Sequence, residues 1–465
     1  MIEGLNPYPE YKESGQAWLG VVPAHWSLLP NRALFDEVKD RDHPEEEMLS
    51  VTITRGIVRQ KALLENSSKK DSSNTNKFAY KLIYPGDIAY NKMRAWQGAL
   101  GASSLRGIIS PAYVVMRPRK KANARYYHYL YRTALFAKEA ERWSYGITSD
   151  MWSLRPEHFK VIGSVLPPPD EQLAIVRFLN HANRKIDGFI RAKRKLIGLL
   201  NEQKQAIIHR AVTRGLDPNA KLKPSGIPWL GEIPEHWEVL RGKYVGRLFS
   251  TPSISDNELS ESRQGNTMYL KVSDLVGADA SLKLTQSRLY VKRKSGRDEA
   301  PRPFLVFPKR GGAIFTNRVA IVESNCFLDP NLMGWQISGR FNPHYVALLL
   351  KTRTLADLAD VSSVPQINNH HISPLQFPAP PIVEQLAIVA WLDRGLNPLT
   401  TAIARTEREI ALMQEYRTCL TADIVTGKLD VREAAAKLPE EKPEEVEEAG
   451  AEDPEEEPEL EDLEG

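Results

Sequence analysis

Residues 167–217 read PPPDEQLAIVRFLNHANRKIDGFIRAKRKLIGLLNEQKQAIIHRAVTRGLD, and residues 380–430 read PPIVEQLAIVAWLDRGLNPLTTAIARTEREIALMQEYRTCLTADIVTGKLD. An offset of 213 aligns them without a gap, with 17 of 51 positions identical and EQLAIV intact in both (171–176 and 384–389). A second repeat precedes each copy. SGQAWLGVVPAHW (14–26) matches SGIPWLGEIPEHW (225–237) at an offset of 211. The order is therefore signature, about 140 residues of variable chain, long helix, and the same again. Repeats of ~20–50 residues build solenoids, whereas a period above ~200 duplicates a whole domain together with its helix.

The two repeated segments carry one heptad in one phase. Seam positions in the first are Val176, Asn183, Ile190, Ile197, Lys204 and Leu179, Ile186, Lys193, Leu200, Ile207. In the second they are Val389, Leu396, Ile403, Ile410, Arg417 and Leu392, Leu399, Thr406, Met413, Leu420. Apolar residues every 3.5 positions make a coiled-coil seam. The candidate pairing residues are Leu179, Ile186, Ile190, Ile197, Leu200, Leu392, Leu399, Ile403, Ile410 and Met413. Two such helices in one chain pack most simply on each other, antiparallel, relating the halves by a pseudo-twofold axis. The plain alternative is that each packs on its own domain. Asn397–Pro398 reads as an N-cap followed by a first-turn proline, so the second helix is expected to restart there.

The variable halves read as mixed α/β. MLSVTIT (48–54), AYVVMRP (112–118) and the pair around the Pro-Gly turn of FAYKLIYPGDIAYNK (78–92) are strands, and 125–142 is one amphipathic helix. In the second half MYLKVSDL, FLVFPKRGGAIFTN and AIVESNCFLD are strands, and 343–360 is the matching helix. The fold class is α+β: two mixed α/β domains (1–168 and 218–379) separated by helical spacers (169–217 and 380–430), with an acidic tail (431–465).

Length and composition agree. A chain of 465 residues, 42% hydrophobic and 26% charged, is ordinary for a globular protein of several domains. No apolar run approaches the ~18 residues of a membrane span, and MIEGLNPYPEYKES lacks a signal-peptide pattern. Cys326 and Cys419 stand far apart, which argues against a disulfide framework or structural zinc and sets a reducing cytoplasm as the expected compartment. The net charge of +3 conceals an asymmetry. Residues 431–465 hold 16 Asp+Glu and 3 Lys+Arg, while the rest holds 59 Lys+Arg against 43 Asp+Glu. A basic body suits a polyanion, though surface charge for solubility reads the same way. The tail has too few apolar residues to offset ordering entropy and is expected to be disordered.

Catalytic motifs are scarce. NPHY (342–345) resembles the N/D-P-P-Y/F motif of DNA amino-methyltransferases, but it opens a helix and has no companion glycine-rich loop. It reads as a helix start, Asn342 the cap and Pro343 in the first turn. Arg310-Gly311-Gly312 lacks the surroundings of a phosphate loop, and His370-His371 lacks a third metal ligand. The duplicated His25-Trp26 and His236-Trp237 read as structural anchors, indole buried and imidazole hydrogen-bonded.

Two variable domains, each followed by a PP-x-x-EQLAIV helix and preceded by S-G-x-x-W-L-G-x-x-P-x-H-W, resemble the specificity subunit of type I restriction–modification systems. The resemblance covers about residues 10–430, and YPGDIAYNKMRAWQGALG (84–101) is similar to a segment of that family's target recognition domains. The second half departs from it with FPKRGGAIFTNR (307–318). The resemblance implies a non-catalytic chain that binds double-stranded DNA, each recognition domain reading one half-site of a bipartite target and the helices fixing the gap. It implies two modification subunits that supply adenine N6-methylation with S-adenosylmethionine, and restriction subunits that add ATP- and Mg-dependent translocation and cleavage. No cofactor is expected in this chain itself, and no membrane. A self-contained DNA methyltransferase or nuclease, and a non-specific coiled-coil adaptor, are the alternatives.

Base reading needs Arg or Lys for guanine and Asn or Gln for adenine, on loops that enter a groove. The candidates in the first domain are Asn91, Lys92, Arg94 and Gln97, with Tyr145, Thr148 and Ser149 on a later loop. Trp96 is either a stacking residue or core. In the second domain they are Lys309, Arg310, Asn317, Arg318, Gln366 and Asn368. Phosphate candidates are Lys69, Lys70, Lys77, Lys292, Arg293 and Lys294, which would set affinity rather than specificity.

Overall fold

The computed structural model describes residues 5–64, 77–146, 151–262, 267–278, 282–292, 300, 302–360 and 365–439. The chain forms two units. One comprises Met1–Ala192 with Glu409–Gly465, the other Lys193–Arg408. Each takes part of each long helix; the first unit joins two separate stretches of the sequence, and the second is one continuous stretch.

The first unit is built on strands β1 (Phe35–Val38), β2 (Ile88–Asn91), β3 (Leu100–Ala102) and β4 (Tyr113–Pro118), in the antiparallel order β1-β4-β2-β3. Helices α1 (Ala124–Tyr131), α2 (Ala134–Arg142) and α3 (Pro156–Val161) follow, then the long α4 (Pro169–Arg214). The second unit has β5 (Gly246–Phe249), β6 (Phe304–Pro308), β7 (Ala320–Val322) and β8 (Leu332–Ile337) in the corresponding order β5-β8-β6-β7. Helix α5 (Pro343–Thr352) and the long α6 (Ile382–Val425) follow, and a short α7 (Arg432–Ala436) returns to the first unit. The mixed α+β class and the duplicated architecture read from the repeats are thus present in the fold.

The long helices pair in antiparallel fashion within each unit. In the first, the start of α4 (Ile175, Leu179) shares a core with the end of α6 (Leu420, Ile424, Val425), and Arg417 pairs with Asp187. In the second, Lys204 Nζ meets Thr400 Oγ1 at 3.4 Å. The 213-residue offset carries Asp187 to Thr400 and Lys204 to Arg417, so this is one contact made twice. Of the pairing candidates, Leu179, Ile186, Ile190 and Leu392 are buried; Ile197, Leu200, Leu399, Ile403, Ile410 and Met413 are half-buried.

Three expectations are corrected. Helix α6 does not restart at Pro398 but runs through it. Proline lacks an N–H and crowds the carbonyl four residues back. Arg394, Asn397 and Pro398 are all exposed, so that carbonyl can turn to water while Leu392 and Leu396 hold the helix on its other face. The helix expected at 125–142 is two helices, because the Thr133 hydroxyl caps a new one by accepting from Phe136 N. The tail is not structureless from residue 431. Val431, Ala435 and Leu438, within and flanking α7, pack into the core of the first unit, and Arg177 donates to the Leu438 and Pro439 carbonyls. Residues 440–465 lie outside the described residues.

The N-terminal segment and the segment after α6 meet in the first unit, where Asp430 N donates to Asn6 O at 2.8 Å. Both positions correspond to Asp217, by offsets of 213 and 211, so two segments distant in sequence join where the second unit has continuous chain.

Candidate nucleic-acid interface

The two repeated signatures hold each other. Glu171 of EQLAIV is 2% exposed and accepts from Trp26 Nε1 at 2.9 Å; its other oxygen lies 2.9 Å from His25 Nε2, and Tyr8 OH donates to the same carboxylate. Glu384 repeats the arrangement with Trp237 Nε1 at 3.0 Å and His236 Nε2 at 2.9 Å. Both indoles are fully buried, as the duplicated His-Trp anchors predicted. The glutamine that follows ties the recognition domain to the helix. Gln172 Oε1 accepts from Asn123 N, and Nε2 donates to the Lys121 and Pro167 carbonyls. Gln385 does the same with Asn342 N and the Arg340 and Pro380 carbonyls.

Asn123 and Asn342 in turn cap α1 and α5, each side chain accepting two backbone N–H groups, with Pro343 in the first turn of α5. These helices meet the ends of the long ones. Tyr126 OH donates to Val425 O at 2.8 Å, and Tyr345 OH to Val212 O at 2.9 Å. These hydroxyls satisfy last-turn carbonyls that the helices cannot pair internally. A rigid frame therefore carries each sheet.

At one end of each sheet two loops come together. In the first unit the loop after β2 meets the segment before α3: Leu154 N donates to Lys92 O at 2.9 Å, Tyr145 bridges Ser153, and Trp96 lies edge-on to Trp152 at 5.5 Å. In the second the loop after β6 meets residues 365–367: Ile367 N donates to Lys309 O at 2.9 Å, and Arg310 bridges Gln366.

The structure thus gathers Asn91, Lys92, Arg94, Gln97 and Tyr145 on one loop pair, and Lys309, Arg310, Gln366 and Asn368 on the other. Tyr145 is 58% exposed and edge-on to His158. Asn91 turns its Oδ1 back onto Met93 N. Lys309 Nζ lies 3.2 Å from Ser250 Oγ, its pKa lowered by burial and by neighbouring Arg310. Arg310 is exposed and Arg318 half-buried. Asn317 faces inward, donating to Lys351 O and accepting from Leu355 N, so its amide holds the loop and is not presented to a base. Lys77 is half-buried, and exposed Lys292 donates to Asn257 O. Thr148, Ser149, Lys69, Lys70, Arg293 and Lys294 lie outside the described residues.

Two residues escaped the sequence reading. Phe315, on the one-turn helix Gly312–Thr316, is 63% exposed between Arg310 and Arg318. Asn123 and Asn342 are 219 residues apart, and the same offset sets Phe315 beside Trp96, which would have marked it. Arg132, at the end of α1, holds backbone carbonyls of two segments that flank the first loop. Among the described residues no group of three His, Cys, Asp or Glu side chains could hold a metal ion, and no helix is long and apolar enough to cross a membrane.

Lys81 is 7% exposed beneath the first domain's loops, donating to Pro111 O at 3.0 Å and to Tyr113 O. Burial draws its pKa from 10.5 down to about 8, and Lys92 and Arg41 add repulsion. Between those values the unfolded chain holds the extra proton, so this group makes the first unit more stable as pH rises through that window. Lys81→Met is expected to remove the rise. Unfolding midpoints of the two proteins compared from about pH 7 to about pH 10 test it, and a pH-independent difference would refute the assignment.

No protein-family model matches the chain. The type I restriction enzyme MjaVIII specificity subunit of Methanocaldococcus jannaschii is 30% identical over 119 residues, a match spanning 24% of this chain and 26% of that protein. A chain from a structure described as the basis of complex assembly and conformational transition of the type I R-M system superposes with a TM-score of 0.63 at 14% identity, covering 88% of this chain and 99% of that one. The HsdS subunit from Thermoanaerobacter tengcongensis aligns at a TM-score of 0.44 and 14% identity over 90% of this chain and 99% of its own. The likeness to type I specificity subunits stated from the motifs is met again in a quarter of the sequence, and the fold is shared with a chain from a type I R-M system structure.

Proposed function

We propose that this chain reads a bipartite double-stranded DNA target as the specificity subunit of a type I restriction–modification complex, one half-site to each recognition domain. The observation that carries the reading is the loop pair built twice on twin frames, each presenting Arg, Lys, Gln and aromatic side chains, in a body with an excess of basic residues. The two loop sets share position and differ in sequence, as two readers of different bases must. Fixed to paired helices, the second reader binds at an effective concentration set by the first, and only when the half-sites have the right separation.

The chain supplies no catalysis in this reading. Two modification subunits bring S-adenosylmethionine and methylate adenine N6, and restriction subunits bring ATP- and Mg-dependent translocation and cleavage. The complex works in the cytoplasm. Lysines such as Lys77 and Lys292 set salt-dependent affinity through phosphate, while loop-borne Arg310 and Gln366 discriminate bases.

Methylome sequencing of cells expressing this chain with a modification subunit, against cells with that subunit alone, tests the proposal. A new bipartite N6-methyladenine motif with a fixed gap is expected. No new motif from a demonstrably assembled, active complex would favour a non-specific adaptor. Arg310→Ala is expected to relax the second half-site alone, by about 1–3 kcal/mol for one guanine contact. Equal loss at both half-sites, or none, would remove Arg310 from that role.

A further inference from the structure

The loops that present these residues are locked to the frame at one equivalent point in each unit, by opposite chemistry. Gly98 and Asn317 are 219 residues apart, and so are Arg132 and Lys351. Gly98 ends its one-turn helix with φ 93°, and Asn317 ends the matching turn with φ 48°. Both are left-handed positions, which glycine adopts freely and asparagine tolerates better than most.

In the first unit the lock comes from the helix. Arg132 donates from Nη1 to Leu100 O at 2.8 Å and Gly98 O at 3.4 Å, and from Nη2 to Ile53 O at 2.8 Å and Thr54 O at 2.6 Å. Four carbonyls from two separate segments converge on one guanidinium: Ile53 and Thr54 in one turn, Gly98 and the first residue of β3, Leu100, in the other. No described carboxylate pairs with it; loss of water, with Arg125 nearby, draws its pKa down to about 10. Taking a cation out of water is costly unless hydrogen bonds replace its hydration. Here the replacements are all backbone of the loop segments and the strand start they lead into, so the charge is tied to their geometry. The turn at residues 53–55 carries exposed Thr54 and Arg55 and shares Arg132 with Gly98, which closes the loop of Arg94 and Gln97.

In the second unit the lock comes from the loop. Asn317 supplies the side chain that Gly98 lacks, its Nδ2 donating to Lys351 O at 2.9 Å while its Oδ1 accepts from Leu355 N at 3.0 Å.

We infer that Arg132 and Asn317 are the positioning residues that fix half-site specificity, each for its own domain and neither by touching DNA. This rests on the DNA-reading function proposed above. The recognition loops leave the sheets as short, irregular segments, and base readout demands placement within a fraction of an ångström to form bidentate hydrogen bonds. A released loop keeps its charges near phosphate but loses discrimination.

The test is the methylome of cells carrying the assembled complex, with wild type, Arg132→Lys, Asn317→Gly, and the double variant Asn317→Gly/Lys351→Arg. Lysine keeps the charge but cannot fork to four carbonyls. Arg132→Lys is expected to blur the first half-site alone, raising methylation at first-half mismatches on the order of tenfold, the worth of about one bidentate contact. Asn317→Gly is expected to blur the second half-site alone. The double variant, which rebuilds the first unit's glycine–arginine lock in the second, is expected to sharpen it again, a rescue that general destabilisation would not give. Both half-sites staying sharp, or both blurring in either single variant, overturns the inference while leaving the DNA-reading function intact. A wild-type complex that is active yet yields no bipartite motif overturns both.

Discussion

Glu171→Ala is expected to lower the stability of the first unit by about 3–5 kcal/mol, the cost typical of removing one partner from a buried charged hydrogen-bond cluster. The carboxylate is 2% exposed and serves three groups at once: the Trp26 indole N–H, the Tyr8 hydroxyl and the His25 ring. Truncation leaves the indole and the hydroxyl enclosed without an acceptor, beside a gap. Glu384→Ala supplies an internal comparison. Its side chain is 27% exposed and, among the described residues, no tyrosine joins it, so water can reach the site and the expected loss falls to about 1–2 kcal/mol. Denaturant unfolding of both variants, with tryptophan fluorescence as the probe, distinguishes them. Equal losses would mean that burial, as read here, does not set the strength of the latch.

The latch also shows what the sequence made legible. Both signatures recur, and their offsets of 211 and 213 keep Trp26–Glu171 and Trp237–Glu384 at nearly equal separations of 145 and 147 residues. The duplication identified each signature as structural, and heptad phase marked the long helices and their seam. What could not be read was pairing across such separations, because no local periodicity encodes it. Asn317 illustrates the limit most clearly. An asparagine in a basic loop satisfies the rule for reading adenine, and only its left-handed backbone and its approach to Lys351 turn the amide inward. Thr133 is a local failure of a different kind: amphipathic spacing continued through it, yet a hydroxyl able to cap a new helix outweighed the pattern. Residues 431–439 were assigned by net charge when three apolar residues at helical spacing decided their place.

Pro398→Ala is expected to stabilise the second unit by about 2 kcal/mol. A proline within a helix costs about 3 kcal/mol through its missing N–H and its crowding of the carbonyl four residues back, here that of Arg394. Part of the gain is returned, because alanine frees the unfolded chain by about 0.4–1 kcal/mol. The sister helix is the natural control: at the matching position α4 carries exposed Lys185 and remains continuous. Pro398 is exposed too, so the substitution disturbs no core contact. Urea unfolding of the full chain gives the outcome directly. An unchanged midpoint would mean that the freed carbonyl is already as well satisfied by water as by an amide, leaving the continuity of α6 through Pro398 without an energetic cost. A lowered midpoint would instead assign the proline ring a packing role that its exposure argues against.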